Sequence, residues 1–164
     1  MSTPKLFPFW WLIPPECYQR FVNGGFETGD FTGWELYPSS AYGQQVCALC
    51  ARSAAAGCLL PTLGGGLKQT FSPKPYGGNI EKFEFWFRSR YGNGVTLNIR
   101  VYYTDGQYTF WAPYSGETTA WRNVNLLGKL DKTKHVDYIV VWFAAYVGDD
   151  DDVCLDDFTL IECI

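Results

Sequence analysis

Two-residue alternation of apolar and polar positions runs through much of the chain. In Phe83-Glu84-Phe85-Trp86-Phe87-Arg88 three phenylalanines share one side. In Val95-Thr96-Leu97-Asn98-Ile99-Arg100-Val101 the Val, Leu, Ile and Val positions do the same. Successive side chains of a strand point to opposite faces, so each run predicts a strand with one buried side. Asp105-Gly106 then ends the second run as a hairpin turn. Residues 107–112, 120–127, 136–147 and 153–161 read as further strands, with 67–71 and 44–51 as weaker ones. Clusters of Gly, Pro, Asn and Asp separate these runs, and no window carries a 3.6-residue period. About eight strands in one chain predict an all-β fold, a single β-sandwich of jelly-roll type.

One strand breaks the inside-outside rule. Across residues 138–146 both alternating sets are apolar, with Tyr138, Val140 and Trp142 on one side and Ile139, Val141 and Phe143 on the other. A sandwich strand with a solvated face does not look like this. Its outer side is expected to lie under the N-terminal arm, a second subunit or a ligand. That arm is residues 1–22, ahead of a jelly-roll domain over 23–164. It holds Pro4, Pro8, Pro14 and Pro15 and six aromatics, with only Lys5, Glu16 and Arg20 charged. The prolines forbid a helix, so the arm is expected to be extended.

Composition narrows the function. A chain of 164 residues is room for one domain, and 47% hydrophobic against 18% charged residues excludes disorder. A formal net charge of −4 argues against a nucleic-acid or anionic-membrane surface, which needs clustered Lys and Arg. No stretch approaches the roughly 20 apolar residues that span a bilayer.

Six cysteines, Cys17, Cys47, Cys50, Cys58, Cys154 and Cys163, point to disulfides and an oxidising destination, the cell exterior or a cell or spore surface. The N-terminus does not read as a signal peptide: its apolar stretch is broken by Pro8, ends at Pro14-Pro15, and has no small-x-small cleavage site. Release by cell lysis, as with spore-coat material, would reconcile the two. Cys47-Ala48-Leu49-Cys50, with Cys58 beyond it, lacks a fourth zinc ligand. In an extended strand residues three apart face opposite ways, so Cys47 and Cys50 are expected to serve different partners.

The two ends of the domain carry a family likeness. Asn23-Gly24-Gly25-Phe26-Glu27-Thr28-Gly29-Asp30-Phe31-Thr32-Gly33-Trp34 resembles the opening of carbohydrate-binding-module jelly rolls, the family 4/9/22-like group with a galactose-binding-like fold. Val153-Cys154-Leu155-Asp156-Asp157-Phe158-Thr159-Leu160 is similar to that group's closing strand. The resemblance covers about residues 23–161. It implies a structural calcium ion (Ca2+) held by the Glu27 and Asp156 carboxylates and the Gly25 carbonyl, with further carbonyls from residues 52–57; such a mixed oxygen set suits calcium. It also implies a polysaccharide partner met by exposed aromatic and polar side chains. The candidates are Trp86, Arg88, Tyr102 and Trp111, with Tyr103 and Tyr114 behind them, since aromatic faces stack on sugar rings. Trp34 is expected in the core. The Asp149–Asp152 run is expected to be a solvated turn.

Catalysis finds no assembled set of residues. His135 is the single histidine, in a lysine-rich segment, and no Gly-x-Ser-x-Gly elbow is present. The chain therefore reads as non-catalytic. Cys17 in the arm, Cys163 near the other end and the doubly apolar strand favour a structural subunit that self-assembles through the arm and intermolecular disulfides into a fibre. In architecture this resembles endospore-appendage subunits. A stand-alone calcium-stabilised carbohydrate-binding module is the alternative reading.

Overall fold

In the computed structural model, which describes residues 13–143 and 151–164, the alternating runs become two antiparallel sheets. The strands are β1 (Cys17–Gln19), β2 (Glu35–Tyr37), β3 (Gln45–Cys47), β4 (Gly57–Leu60), β5 (Gly65–Thr70) and β6 (Ile80–Ser89). They continue with β7 (Leu97–Tyr103), β8 (Tyr108–Trp111), β9 (Arg122–Asn125), β10 (Val136–Phe143) and β11 (Val153–Cys163). No α-helix occurs among the described residues. One sheet has the order β3-β4-β11-β6-β9, with β1 also pairing β11; the other has the order β2-β5-β10-β7-β8. Residues 1–12 of the arm, the expected strand end at 144–147, and Asp149-Asp150 lie outside the described residues.

The inward sets are those the alternation predicts. Phe83, Phe85 and Phe87 of β6 meet Leu97, Ile99 and Val101 of β7 and Ile139 and Val141 of β10 in one buried core. The aromatic opening segment closes one end of it. Phe85 stacks on Phe158 at 4.4 Å, Trp34 meets Phe158 edge-on at 4.8 Å, and the indole N–H of Trp34 donates to the Asn23 carbonyl at 3.1 Å. The β7–β8 hairpin turns at Gly106 with a positive φ of 82°, as Asp105-Gly106 predicts. The strands that alternation misses are short: β4 is buried on both faces, which erases its pattern, and β1 and β2 span three residues each.

The described part of the arm lies on the domain's own edge. β1 pairs with the last three residues of β11, Glu16 and Ile164 exchange backbone hydrogen bonds, and the buried Gln69 side chain brackets Val22 from both its amide and carbonyl. These residues extend the six-stranded sheet and do not cross the outer side of β10.

Two disulfides form, Cys17–Cys163 and Cys50–Cys154, closing separations of 146 and 104 residues. Both corrections to the cysteine expectation follow from where the chain points these side chains. Cys17 is bonded within its own chain, because β1 lies antiparallel to β11 with Cys17 opposite Cys163; it does not supply the intermolecular lock expected of it. Cys47 and Cys58 are free thiols. Cys58 faces the core while Cys47 packs on the outer side of the same sheet, so they cannot meet. Cys47 and Cys50 share that outer cluster because the chain tightens into a 3-10 turn at Ala48–Cys50.

The acidic run departs from a solvated turn at its described end. Asp151 is fully buried and accepts hydrogen bonds from the Ser89 hydroxyl and from the Tyr91 and Asn93 amides; Asp152 accepts from Thr62 and pairs with Arg90 at 2.7 Å. Burial raises the Asp151 carboxyl, but the Ser89 hydroxyl and the two amides outweigh it, and the group titrates below its ordinary value. A depressed folded pKa adds stability above the unfolded value, lost as pH falls through the folded one. Asp151→Ala removes the acceptor of the buried Ser89 hydroxyl and of two part-buried amide bonds, and is expected to cost about 1–3 kcal/mol in urea unfolding at pH 7. The deficit should shrink below about pH 4, where the wild type loses the same contribution.

Candidate functional site

Register decides which outward side chains of the five-stranded sheet stand together. One row across the strands runs Tyr37, Gly66, Trp142 and Asn98. The next runs Glu35, Lys68, Val140, Arg100 and Phe110. The third runs Thr70, Tyr138, Tyr102 and Tyr108. Gly66 is required in the first row, since a Cβ there would fall 2.6 Å from that of Trp142.

The result is an aromatic floor around a cation. Tyr102 stacks on Tyr138 at 4.4 Å and meets Tyr108 at 5.3 Å, while Trp142 lies 6.2 Å from both Tyr37 and Phe110. The Arg100 guanidinium sits over the rings of Tyr108 at 4.8 Å, Trp142 at 5.2 Å and Phe110 at 6.0 Å, and donates to the Tyr102 hydroxyl at 3.2 Å. That hydrogen bond to Tyr102 holds the guanidinium pKa above its usual value. Burial, with Tyr102 behind it, pushes the Tyr138 phenol up. Lys68 lies 5.0 Å from the Tyr138 ring and pairs with Glu35 at 3.3 Å. Two hollows of about 320 and 370 Å³ open on this face and share Tyr37 and Pro38 at their border. One reaches Lys68, Tyr102 and Tyr138; the other reaches Tyr42, Leu63 and Trp142.

Of the sequence candidates, only Tyr102 stands here. Trp86 and Arg88 face outward from the six-stranded sheet, where Arg52 covers Trp86 at 3.7 Å and Arg88 lies over Trp121 at 5.2 Å while donating to the Leu49 carbonyl. Trp111 turns inward and packs against the core, with Lys129 over it. Tyr103 is buried, and Tyr114 is exposed beside Gly94. Tyr37, Arg100, Phe110, Tyr138 and Trp142 escaped selection. Trp142 and Tyr138 carried a readable signal, since they are the outer set of the strand apolar on both faces.

A second constellation forms where the two ends of the domain meet. β11 bulges between Asp156 and Thr159, with Asp157 at a φ of 55°, and leaves a gap along its edge between β4 and β1. The opening segment fills that gap: Phe158 donates to the Gly24 carbonyl, and a Cβ on Gly24 would fall 2.2 Å from the Phe158 carbonyl oxygen, so only glycine allows the approach. Gly25, Glu27 and Asp156 come together, both carboxylates lying 3.8 Å from where a Gly25 Cβ would be. Residues 52–56 wrap around them, Arg52 N–H donating to Asp156 at 2.7 Å and Ala55 N–H to Glu27 at 3.1 Å.

Asp156 is fully buried, and among the described residues no cation pairs with it; Arg52 pairs with Asp157 instead. Burial pushes its carboxyl up to about 6. A buried carboxylate without a counter-charge, beside a second carboxylate, suits a hard cation such as calcium; the backbone groups that meet the pair are the N–H groups of Arg52, Ala55 and Asp157. Among the described residues no group of three or more His, Cys, Asp or Glu gathers, so carbonyls would complete the ligand set. His135 bonds the Lys74 carbonyl through Nδ1 and leans on Tyr76.

No protein-family model and no curated protein matches the sequence. Solved structures do match the fold. A structure described as TmCBM61 in complex with β-1,4-galactotriose shares it at a TM-score of 0.62 and 18% identity, over 88% of this chain and 99% of that one. A family 16 carbohydrate-binding module matches at 0.59 and 18%, over 87% and 99%. The CBM22 tandem domain of Paenibacillus barcinonensis Xyn10C matches at 0.59 and 12%, over 92% and 47%. The chain thus has the jelly-roll sandwich found in carbohydrate-binding modules.

Proposed function

We propose that this chain is a non-catalytic carbohydrate-binding domain acting outside the cell or at its surface. It lays a glycan across the outer face of the five-stranded sheet. The observation that carries the reading is the set of aromatic rings ranked over β10, on a face that an ordinary sandwich strand gives to solvent. Stacking sugar rings on Trp142, Tyr37 and the tyrosines removes apolar area from water with little loss of side-chain freedom. The phenolic hydroxyls, Asn98, Lys68 and Arg100 supply donors and acceptors for ring hydroxyls. The similar folds support the reading, and the two disulfides suit an oxidising location.

A structural calcium ion belongs to the same proposal, held by Glu27, Asp156 and the Gly25 carbonyl together with carbonyls of residues 52–57. The ion would neutralise the buried charge and tie the opening segment to β11. Self-assembly into a fibre gains no observation, Cys17 being bonded within the chain.

Affinity electrophoresis against a panel of soluble polysaccharides tests the function. At least one glycan should retard the protein, and Tyr37→Ala should abolish the retardation without moving the melting temperature by more than a few degrees. No retardation by any glycan would overturn the assignment.

A further inference from the structure

The charge on the aromatic face is the reverse of that on the chain. The protein carries a formal charge of −4, yet the rows of the face hold Arg100 and Lys68 against Glu35, while Asp137 beside Tyr138 is already paired with Lys74. Lys68 spends part of its charge on Glu35, whose side chain is 62% exposed at the rim. Arg100 has no such partner: among the described residues no carboxylate pairs with it, its Nε is buried without a hydrogen-bond partner, and its one bond goes to Tyr102.

Guanidinium is a fork of five donors suited to planar or tetrahedral oxyanions. Here it is partly desolvated among three rings, in the middle of the floor. Such a cation gains most from an anion that arrives with the ligand. A neutral sugar offers only hydroxyl and ether oxygens. Lys68 stands two strands away in the same row, roughly 10 Å off at ordinary strand spacing, so a second charge along one glycan chain has a place to go.

Resting on the carbohydrate-binding reading, we infer that the ligand is an acidic polysaccharide, with an anionic substituent of one sugar taken by Arg100 and a neighbouring charge received by Lys68. The substituent is a uronate carboxylate or a sulfate ester, which share the oxyanion chemistry that the guanidinium fork reads. The rings select the glycan chain, and the cations select its charge.

The experiment compares polygalacturonate and alginate for carboxylates, a carrageenan for sulfates, and neutral galactan and xylan, by affinity electrophoresis and calorimetry on the full chain. Fully methyl-esterified polygalacturonate keeps the sugar rings and removes the charge. The wild type should bind an acidic glycan at least tenfold more tightly than its neutral counterpart, with affinity falling as salt rises. Whichever of the carboxylate and sulfate arms binds identifies the substituent. Arg100→Gln should lose about tenfold or more on the acidic glycan and show no difference between free and esterified forms, while Arg100→Lys recovers part of the preference. The esterified arm uses unaltered protein, so it stands even if the variants fold poorly. Tight binding of a neutral glycan, indifferent to salt and to Arg100, would overturn this inference and leave the carbohydrate reading intact. Binding to no glycan would overturn both.

Discussion

Trp142→Ala should lower glycan affinity by about 30–150-fold, the equivalent of about 2–3 kcal/mol and the range of a central aromatic anchor. Trp142 is placed for that role. It lies between Tyr37 and Phe110, beside the Arg100 guanidinium, and lines the larger of the two hollows. Its indole is part-exposed and outside the core, so the loss should appear in binding and scarcely in folding. Isothermal calorimetry with the best glycan from the panel measures the first and thermal unfolding the second. Trp121→Ala, on the outer face of the opposite sheet, is the matched control and should leave affinity unchanged. If Trp142→Ala binds as the wild type does, the ligand does not lie on this face.

Removal of calcium should produce the other large effect. A ligand bound only by the folded state at about 100 times its dissociation constant adds about 2.7 kcal/mol. For a chain of this size that corresponds to about 5–10 °C in melting temperature. Calorimetry with calcium and with excess chelator should show this difference, and Glu27→Ala or Asp156→Asn should erase it. Identical melts in calcium and chelator would remove the ion from the proposal.

The pH dependence has a definite sign. Burial raises the folded Asp156 carboxyl from its ordinary value of 3.8 to about 6. In metal-free protein this group therefore contributes stability that is fully present below pH 3.8 and is lost as pH rises through 6. Calcium takes the ionised form, so the calcium-dependent increment should be full at pH 7 and shrink below pH 6.

The approach of Gly25, Glu27 and Asp156 was implied by the family resemblance because its parts sit in contiguous motifs. Asn23-Gly24-Gly25-Phe26-Glu27 and Leu155-Asp156-Asp157-Phe158 each hold their residues in fixed local order, and the glycine that lets the segments touch is part of the first. The aromatic face was only half legible. Tyr138, Val140 and Trp142 betray themselves, being apolar where a strand should be polar. Arg100 hides as an ordinary polar position of a well-alternating strand, and Tyr37 sits in a strand of three residues with no pattern to read. Trp86 and Trp111 showed the same aromatic signal but lie elsewhere, one outward on the opposite sheet and the other turned into the core.

The sequence by itself determined the long alternating strands, their inward sets and the aromatic core they form, because two-residue periodicity and turn chemistry are local properties of a chain; that the two motifs around Glu27 and Asp156 meet was implied by the family resemblance. Only the tertiary structure decided that Arg100 stands between Val140 and Phe110, that Cys17 closes on Cys163, and that Asp151 is buried beneath Ser89. Each of these depends on sheet order and pairing register across separations of up to 146 residues. No short stretch of sequence encodes register, which is fixed by the packing of both sheets around one core.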